Sequence, residues 1–163
     1  MAIEAGQAVP NVVLKQMTPD GIKDISTGDL LAGKRVILFG VPGAYTPVCS
    51  TKHLPGYVEE AENLKAKGID AIACVAVNDP FVMGAWGEMH GVEDKVLMLC
   101  DPEAELARAL GFDLDLSSFG LGARSQRYSM VVQDGVAESV NVEKSIFDVE
   151  STGASSLLAP VHA

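Results

Sequence analysis

Residues 34–68 read KRVILFGVPGAYTPVCSTKHLPGYVEEAENLKAKG, and three successive patterns in this stretch decide the fold. Residues 34–41 form a largely apolar run, which is typical of a strand covered on both faces in a parallel sheet. Prolines and a glycine then interrupt the chain. From about residue 50 to 67, apolar side chains recur at helical spacing, with charged side chains between them. The stretch therefore predicts a strand, a short loop and a helix that ends at Gly68.

The segments on either side continue the alternation of strand and helix patterns. In chain order they are a hairpin (11–17 and 22–26), a strand at 69–77 with a helix starting at Asn78-Asp79-Pro80, a strand at 96–101 with a helix at 103–110, a structured Gly/Ser-rich loop at 113–126, a hairpin around Asp134-Gly135, and a helix near 152–159. This order predicts an α/β protein with a central mixed sheet between two layers of helices and an added N-terminal β-hairpin, the layout of a thioredoxin-like three-layer α/β/α fold. We expect one such domain over residues 1–163.

Composition and charge exclude several classes of function. The chain has 163 residues, 48% of them apolar, and a formal net charge of −10 with no basic cluster, so nucleic acid or an anionic membrane would repel it. The start, MAIEAGQAVP, lacks the basic and apolar regions of a secretory signal, and no apolar run approaches the roughly eighteen residues that would span a bilayer. We therefore expect a cytoplasmic protein that binds neither nucleic acid nor membranes.

The three cysteines, Cys49, Cys74 and Cys100, are odd in number and form no C-x-x-C pair. This pattern argues against a disulfide framework, a zinc site and a thioredoxin-type dithiol. Each cysteine is therefore either a small buried apolar residue or a reactive thiol, and its surroundings must decide between the two.

Cys49 lies where the loop after the strand enters the helix. Unpaired N–H groups and the positive end of the helix dipole favour an anion there, and helix N-termini lower the pKa values of thiols. Pro42 and Pro47 restrict the backbone of the loop, and the hydroxyl of Thr46 can return toward the sulfur. Further along, Pro55 cannot donate to the carbonyl of Thr51 and predicts a kink in the helix. The loop therefore predicts a reactive thiolate at Cys49.

The pattern P-x-x-x-T-x-x-C, present as Pro42, Thr46 and Cys49, is similar to the active-site signature of peroxiredoxins. GVPGAYTPVCSTKHLPGY resembles the type II, or peroxiredoxin-five, subgroup. The segments CVAVNDPFVMGAWG (74–87), GLGARSQRYSMVVQDG (120–135) and NVE (141–143) extend this likeness over nearly the whole chain.

The resemblance implies a role for each matching residue. Cys49 matches the peroxidatic nucleophile, Thr46 the hydroxyl that holds the peroxide, Pro42 the residue that shields the thiolate, and Arg127 the arginine that supports thiolate and peroxide. The backbone N–H groups of Val48 and Cys49, together with Gly43, would complete the substrate-binding site. On local sequence alone, Arg124 and Arg127 are equal candidates for a solvated charge, and only the resemblance favours Arg127.

The implied activity is that of a thiol-dependent peroxidase with an antioxidant role in cell redox homeostasis. It would reduce hydrogen peroxide and alkyl hydroperoxides through a sulfenic acid on Cys49, with glutathione, glutaredoxin or thioredoxin as reductant. No metal, flavin or haem cofactor is implied, and the family commonly forms homodimers. A peroxide-sensing switch or interaction module that uses the same cysteine without efficient turnover is the main alternative. A thioredoxin-type dithiol oxidoreductase and a cysteine hydrolase are weaker alternatives.

Most of the other candidate residues have two possible interpretations. Cys74 lies mid-strand and is either a core residue or a resolving thiol for Cys49, as proposed for some type II members; the C-terminal segment 151–163 has no cysteine for that role. Cys100 is interpreted as a packing residue. For His53, a packing or surface role is favoured over a Cys-His pair. Trp86, Phe81 and Phe119 are expected to fill the core or a dimer contact.

Overall fold

The computed structural model describes residues 2–157 and contains a seven-stranded sheet. Its strands are β1 (Val13–Thr18), β2 (Gly21–Ser26), β3 (Arg35–Val41), β4 (Ala71–Ala76), β5 (Leu97–Cys100), β8 (Tyr128–Gln133) and β9 (Val136–Val142). They lie side by side in the order β2-β1-β5-β4-β3-β8-β9. The helices are α1 (Thr27–Leu31), a π-helical turn (Cys49–His53), α2 (Leu54–Ala66), α3 (Pro80–Met89), α4 (Glu105–Leu110) and a 3-10 turn (Ser117–Phe119). A separate two-stranded sheet pairs β6 (Asp113–Asp115) with β7 (Ala123–Ser125).

The centre of the large sheet is parallel and its flanks are antiparallel. β3, β4 and β5 run parallel, whereas β8 pairs antiparallel with β3 and β1 pairs antiparallel with β5. The carboxyl ends of the parallel strands therefore meet at one edge, and the loop that follows β3 begins there.

Two apolar clusters cover the two faces of the sheet. One packs alternate residues of β3 against α2 and α3, through side chains such as Leu54 and Trp86. The other packs the remaining β3 residues against α1 and α4, through side chains such as Leu31 and Leu106. These layers confirm the predicted thioredoxin-like α/β/α fold with a mixed sheet.

Both predicted hairpins are present. β1 and β2 pair along their whole length across the Pro19-Asp20 turn. Asp134 and Gly135 join β8 to β9 with φ values of 48° and 81°, the backbone that a two-residue turn of this kind requires.

The structure adds detail to the sequence-based expectations at α1, at the loop 113–126 and at the last helix. The short helix α1 was not expected; the Ser26 hydroxyl accepts from Asp29 N at 3.0 Å and caps its start. The loop at 113–126 contains β6, the 3-10 turn and β7. Helical backbone is observed at 154–157, whereas residues 158–159 of the expected last helix lie outside the described residues.

The irregularity predicted at Pro55 takes the form of a π-helical turn. The chain makes this turn over Cys49–His53, and Leu54 N donates to Cys49 O. Pro55 is the second residue of α2. Its nitrogen has no N–H to donate to the preceding turn, and the extra residue of the π-helical turn makes room for the proline ring.

Within residues 2–157, none of the helices has the length and apolar character that crossing a bilayer requires.

Candidate active site

The loop after β3 is held by contacts from distant parts of the chain. Ala44 N donates to Asn78 Oδ1 at 2.9 Å, and Arg124 Nη1 donates to the carbonyl of Pro42 at 3.2 Å. Gly43 lies so close to this arginine that a side chain at this position would clash with Arg124 Nη1. Tyr45 has a φ of 64°, which a non-glycine residue adopts only where its surroundings hold it. The hydrogen bonds from Asn78 and Arg124 therefore hold the loop in one conformation.

Cys49 lies in the first helical turn after this loop, as predicted. Helical backbone begins at Pro47, and the first helical hydrogen bond runs from Ser50 N to Thr46 O at 3.0 Å. The N–H groups of Val48 and Cys49 precede that bond and have no carbonyl of the helix to donate to. The Cys49 side chain is 0% exposed.

Arg127 reaches Cys49 from the start of β8. Its Nη2 donates to Cys49 Sγ at 3.1 Å and to the carbonyl of Ile146 at 2.8 Å, and its Nε donates to the same carbonyl at 3.2 Å. Its Nη1 donates to His53 Nδ1 at 2.8 Å. Arg127 is 2% exposed and, within residues 2–157, forms no ion pair with a carboxylate. The sulfur of Cys49 therefore faces a buried cation without an acidic partner.

His53 is neutral and forms no hydrogen bond with Cys49 among the described residues. Burial, followed by the charge of Arg127, lowers the pKa of His53 to about 3. Because a guanidinium can only donate, Nδ1 accepts from Arg127 and the ring proton lies on Nε2, which donates to the carbonyl of Thr152 at 3.1 Å. His53 is buried, as a packing role would require, but its contacts give it a polar role that the sequence did not indicate.

Thr46 and Pro42 both line the site, yet the hydroxyl of Thr46 does not point to the sulfur in this structure. It donates to the carbonyl of Gly43 at 2.7 Å and closes the loop on itself. Its side chain borders a cavity of about 400 Å³. Arg127 links this cavity to Cys49, because it lines the cavity and also donates to the sulfur.

The cavity has an apolar, aromatic rim. Its lining consists of Pro42, Tyr45, Thr46, Pro47, Val48, Phe119, Leu121, Arg127, Ile146 and Phe147. Phe119 and Phe147 are each 60% exposed and meet edge to face with their ring centres 6.2 Å apart. Phe119 and the exposed Phe81 therefore do not fill the core, whereas Trp86 does, and its Nε1 donates to Ser50 Oγ at 3.0 Å.

Cys74 and Cys100 are buried free thiols within the sheet. Cys74 lies in the middle of β4, paired between Phe39 of β3 and Met98 of β5. Burial raises its pKa well above that of an ordinary thiol. Burial likewise raises the pKa of Cys100 to about 12. Both cysteines lie where the sequence placed them, within apolar strands.

The sequence did not indicate the polar groups behind the site. Arg124 holds the loop backbone, and its only signal was its position in the segment that resembles peroxiredoxins. Glu143 accepts hydrogen bonds from the C-terminal segment that contacts His53 and Arg127. Its signal was likewise only its position in NVE (141–143), a segment that resembles peroxiredoxins, which gave it no specific role.

Comparisons with known proteins agree on a family. The family model described as Redoxin matches residues 4–158. Peroxiredoxin-2E-2, chloroplastic, of Oryza sativa subsp. japonica is 50% identical over 147 residues, which are 87% of this chain and 65% of that protein. Peroxiredoxin-2B of Arabidopsis thaliana is 46% identical over 142 residues, 86% of this chain and 88% of that protein.

A solved structure extends the agreement to three dimensions. The crystal structure of reduced Prx3 in complex with H₂O₂ from Vibrio vulnificus superposes with a TM-score of 0.92 at 48% identity, covering 98% of this chain and 99% of that one. A fold shared over the full chain at this identity agrees with the loop, the helix start and the sheet described above. The chain therefore belongs to the Redoxin family and, within it, to the type II peroxiredoxins.

Proposed function

We propose that the chain is a thiol peroxidase whose nucleophile is Cys49. The observation that supports this most strongly is the 3.1 Å hydrogen bond from the buried guanidinium of Arg127 to Cys49 Sγ. A buried cation is costly unless an anion accompanies it, and Cys49 as a thiolate is the anion that its position favours. The thiolate, not the thiol, attacks electrophiles.

The proposed first step is a displacement at the O–O bond of a hydroperoxide. The sulfur pair attacks the terminal oxygen, an S–O bond forms and the O–O bond breaks. The departing oxygen takes the bonding pair, accepts a proton from solvent to replace the one that the Cys49 thiol lost on ionisation, and leaves as water or an alcohol. Cys49 is oxidised to a sulfenic acid, and the peroxide is reduced.

Donors fixed around the departing oxygen stabilise the charge that develops on it. Four of the five N–H groups of Arg127 are engaged with Cys49, His53 and Ile146, which leaves the second N–H of Nη1 without an acceptor within residues 2–157. We assign this group, together with the first-turn N–H groups of Val48 and Cys49, to the peroxide. Pro42 excludes water from the sulfur, and Gly43 permits the close approach of Arg124 that holds the loop.

Thr46 is assigned to hold the bound peroxide. Its hydroxyl donates to the carbonyl of Gly43, and the residue lines the cavity. The hydroxyl oxygen keeps its lone pairs in this arrangement, so it can accept a hydrogen bond from a peroxide O–H.

Hydrogen peroxide and alkyl hydroperoxides are the proposed substrates. The cavity of about 400 Å³ is of the size that holds small organic ligands, and its rim is apolar. The Vibrio vulnificus relative was crystallised in complex with H₂O₂, which supports the smaller substrate for this chain.

An external thiol is proposed to regenerate Cys49. A thiol attacks the sulfenic sulfur and releases water, which leaves a mixed disulfide on Cys49. A second thiol attacks the reductant's sulfur in that bond, forms the oxidised disulfide of the reductant and releases Cys49 as a thiolate. Glutathione, glutaredoxin or thioredoxin would serve as reductant. Cys74 is a poor candidate for the first thiol, because it is held in the middle of β4 and its pKa is raised.

Assembly, domain count and compartment remain predictions. We propose a homodimer, supported by the exposed phenyl rings of Phe119 and Phe147 beside the cavity.

A single domain over residues 1–163 agrees with the Redoxin match over 4–158. A cytoplasmic location agrees with three free thiols, although relatives include a chloroplastic protein.

Turnover assays test the proposal. Purified protein is mixed with excess hydrogen peroxide or cumene hydroperoxide and with glutathione plus glutaredoxin, or thioredoxin with its reductase. The proposal predicts many equivalents of peroxide consumed per Cys49. Consumption of only one equivalent with every reductant would instead favour the peroxide-sensing switch.

A further inference from the structure

The segment that follows β9 wraps behind the candidate site and contacts it at two points. We call residues 144–152 the strap. Near its start, the carbonyl of Ile146 accepts two hydrogen bonds from Arg127, at 2.8 and 3.2 Å. At its end, the carbonyl of Thr152 accepts from His53 Nε2 at 3.1 Å and from the Tyr57 hydroxyl at 2.7 Å. Because His53 in turn accepts from Arg127, both ends of the strap hold the same guanidinium.

The carboxylate of Glu143 binds the end of the strap. One oxygen of its carboxylate, Oε2, accepts from Glu150 N at 2.8 Å, Thr152 N at 2.8 Å and Thr152 Oγ1 at 2.6 Å. Its own backbone N–H donates to the carbonyl of Arg127 at 3.0 Å. Glu143 is buried, and these hydrogen bonds hold the pKa of its carboxyl below the usual range although burial alone would raise it. An ionised acceptor strengthens each of the three bonds.

We infer that Glu143 is a positioning residue: by fastening the strap to the end of β9, it fixes the two carbonyls that aim Arg127 at Cys49. This inference rests on the proposed function. Glu143 forms no hydrogen bond with Cys49 or Arg127 through its side chain, so it acts only through the strap and His53.

The physical reason is geometric. A guanidinium on a long side chain has many rotamers, and a donor that moves by about 1 Å can lose about 100-fold in rate at the reacting centre. Ile146 O and His53 Nδ1 occupy donors on opposite nitrogens of Arg127, so together they fix the plane of the group. If Glu143 is removed, three donors of the strap lose their acceptor and the strap separates from β9 to solvate them.

The test compares Glu143→Ala with Glu143→Gln and with Glu150→Ala. Glutamine keeps a neutral acceptor in place, whereas Glu150 lies in the strap with an exposed side chain and contributes only its backbone to the network. We expect Glu143→Ala to lower the rate constant for Cys49 with hydrogen peroxide by about 10- to 100-fold. Glu143→Gln is expected to lose about 3- to 5-fold, and Glu150→Ala less than about twofold.

A double-mutant cycle separates positioning from general damage to the fold. In an Arg127→Lys background, Glu143→Ala should change the rate by less than about twofold, because the group that it positions is absent. An equal loss in both backgrounds, or a folded Glu143→Ala protein with the wild-type rate, would overturn the inference. If Glu143→Ala does not fold by circular dichroism, Thr152→Val removes a single donor and should show the same background dependence, and its failure to do so would count equally against the inference.

A second readout does not depend on peroxide. The rate of Cys49 alkylation by iodoacetamide is measured against pH. Glu143→Ala should move the midpoint of this profile upward, because the cation that donates to the sulfur loses its fixed position. If wild-type protein proves inert toward peroxide, the proposed function fails, yet this profile still tests the strap. An unchanged midpoint in a folded Glu143→Ala protein would contradict the inference.

Discussion

Cys49 and Cys74 are both fully buried, yet their surroundings differ in every respect that governs reactivity. Cys49 lies in the first turn of a helix and receives a hydrogen bond from Arg127 at 3.1 Å. Cys74 lies mid-strand between two paired strands, and burial raises its pKa. Burial alone therefore does not decide whether a thiol reacts; the donors placed around the sulfur do.

The largest expected effect comes from exchanging each sulfur for oxygen. Cys49→Ser should lower peroxide turnover by at least about 1,000-fold, because a serine hydroxyl supplies no thiolate. Cys74→Ser, the matched control, should stay within about threefold of wild type, apart from some loss of stability in the core. Steady-state assays with hydrogen peroxide measure both. Equal losses in the two variants would remove the distinction between the two cysteines.

The second effect concerns Arg127, which within residues 2–157 donates a hydrogen bond to Cys49 but not to Cys74. Arg127→Lys keeps the charge but replaces a planar group that forms four hydrogen bonds from three nitrogens with three donors on one nitrogen. We therefore expect about a 100-fold lower rate constant with peroxide. Arg108→Lys, on the exposed side of α4, is the matched control and should match wild type. Stopped-flow measurements with peroxide in excess give both constants. A wild-type rate in Arg127→Lys would show that the reactivity of Cys49 does not depend on the hydrogen bond from Arg127.

The third effect is a loss of stability in acid that is caused by His53, which accepts a hydrogen bond from Arg127 beside Cys49. The pKa of His53 falls from an ordinary 6.5 to about 3 on folding, so between these values the unfolded chain binds the extra proton. The free energy of unfolding therefore decreases as pH falls through this window, by about 2 kcal/mol from this residue between pH 7 and pH 5. Urea denaturation at the two pH values should show a smaller decrease for His53→Gln than for wild type. Equal decreases would mean that His53 is protonated in the folded protein.

The smallest effect tests whether Cys74 ever reacts with Cys49. After one equivalent of peroxide, wild type and Cys74→Ser should both gain a single oxygen atom by intact mass, because the strand around Cys74 would have to separate before a disulfide could form. A loss of two hydrogens in wild type alone would show that Cys74 resolves the sulfenic acid, and that the helix start unwinds during the cycle.

The fold was predictable because its signals are local. The apolar run of β3, the Asp134-Gly135 turn and the capping Asp79 each determine the conformation of a few neighbouring residues. The π-helical turn was missed because Pro55 indicates only that a regular helix is impossible, and packing against the sheet chooses how the chain adapts.

The candidate site divides in the same way. Pro42, Thr46 and Cys49 lie within one loop and one turn, so their proximity follows from the sequence. Arg127 joins them from the start of β8, and periodicity could not distinguish it from Arg124. The contacts of His53 with Arg127 and Thr152 join three segments, and no local pattern predicts such a network.

Site-specific trapping of the oxidised cysteine tests the central claim most directly. The reduced protein is treated with one equivalent of hydrogen peroxide in the presence of dimedone, which reacts with sulfenic acids, and the labelled peptides are identified by mass spectrometry. We predict label on Cys49 alone, lost in Cys49→Ser and retained in Cys74→Ser. Label on Cys74 or Cys100, or an unlabelled Cys49, would contradict the account.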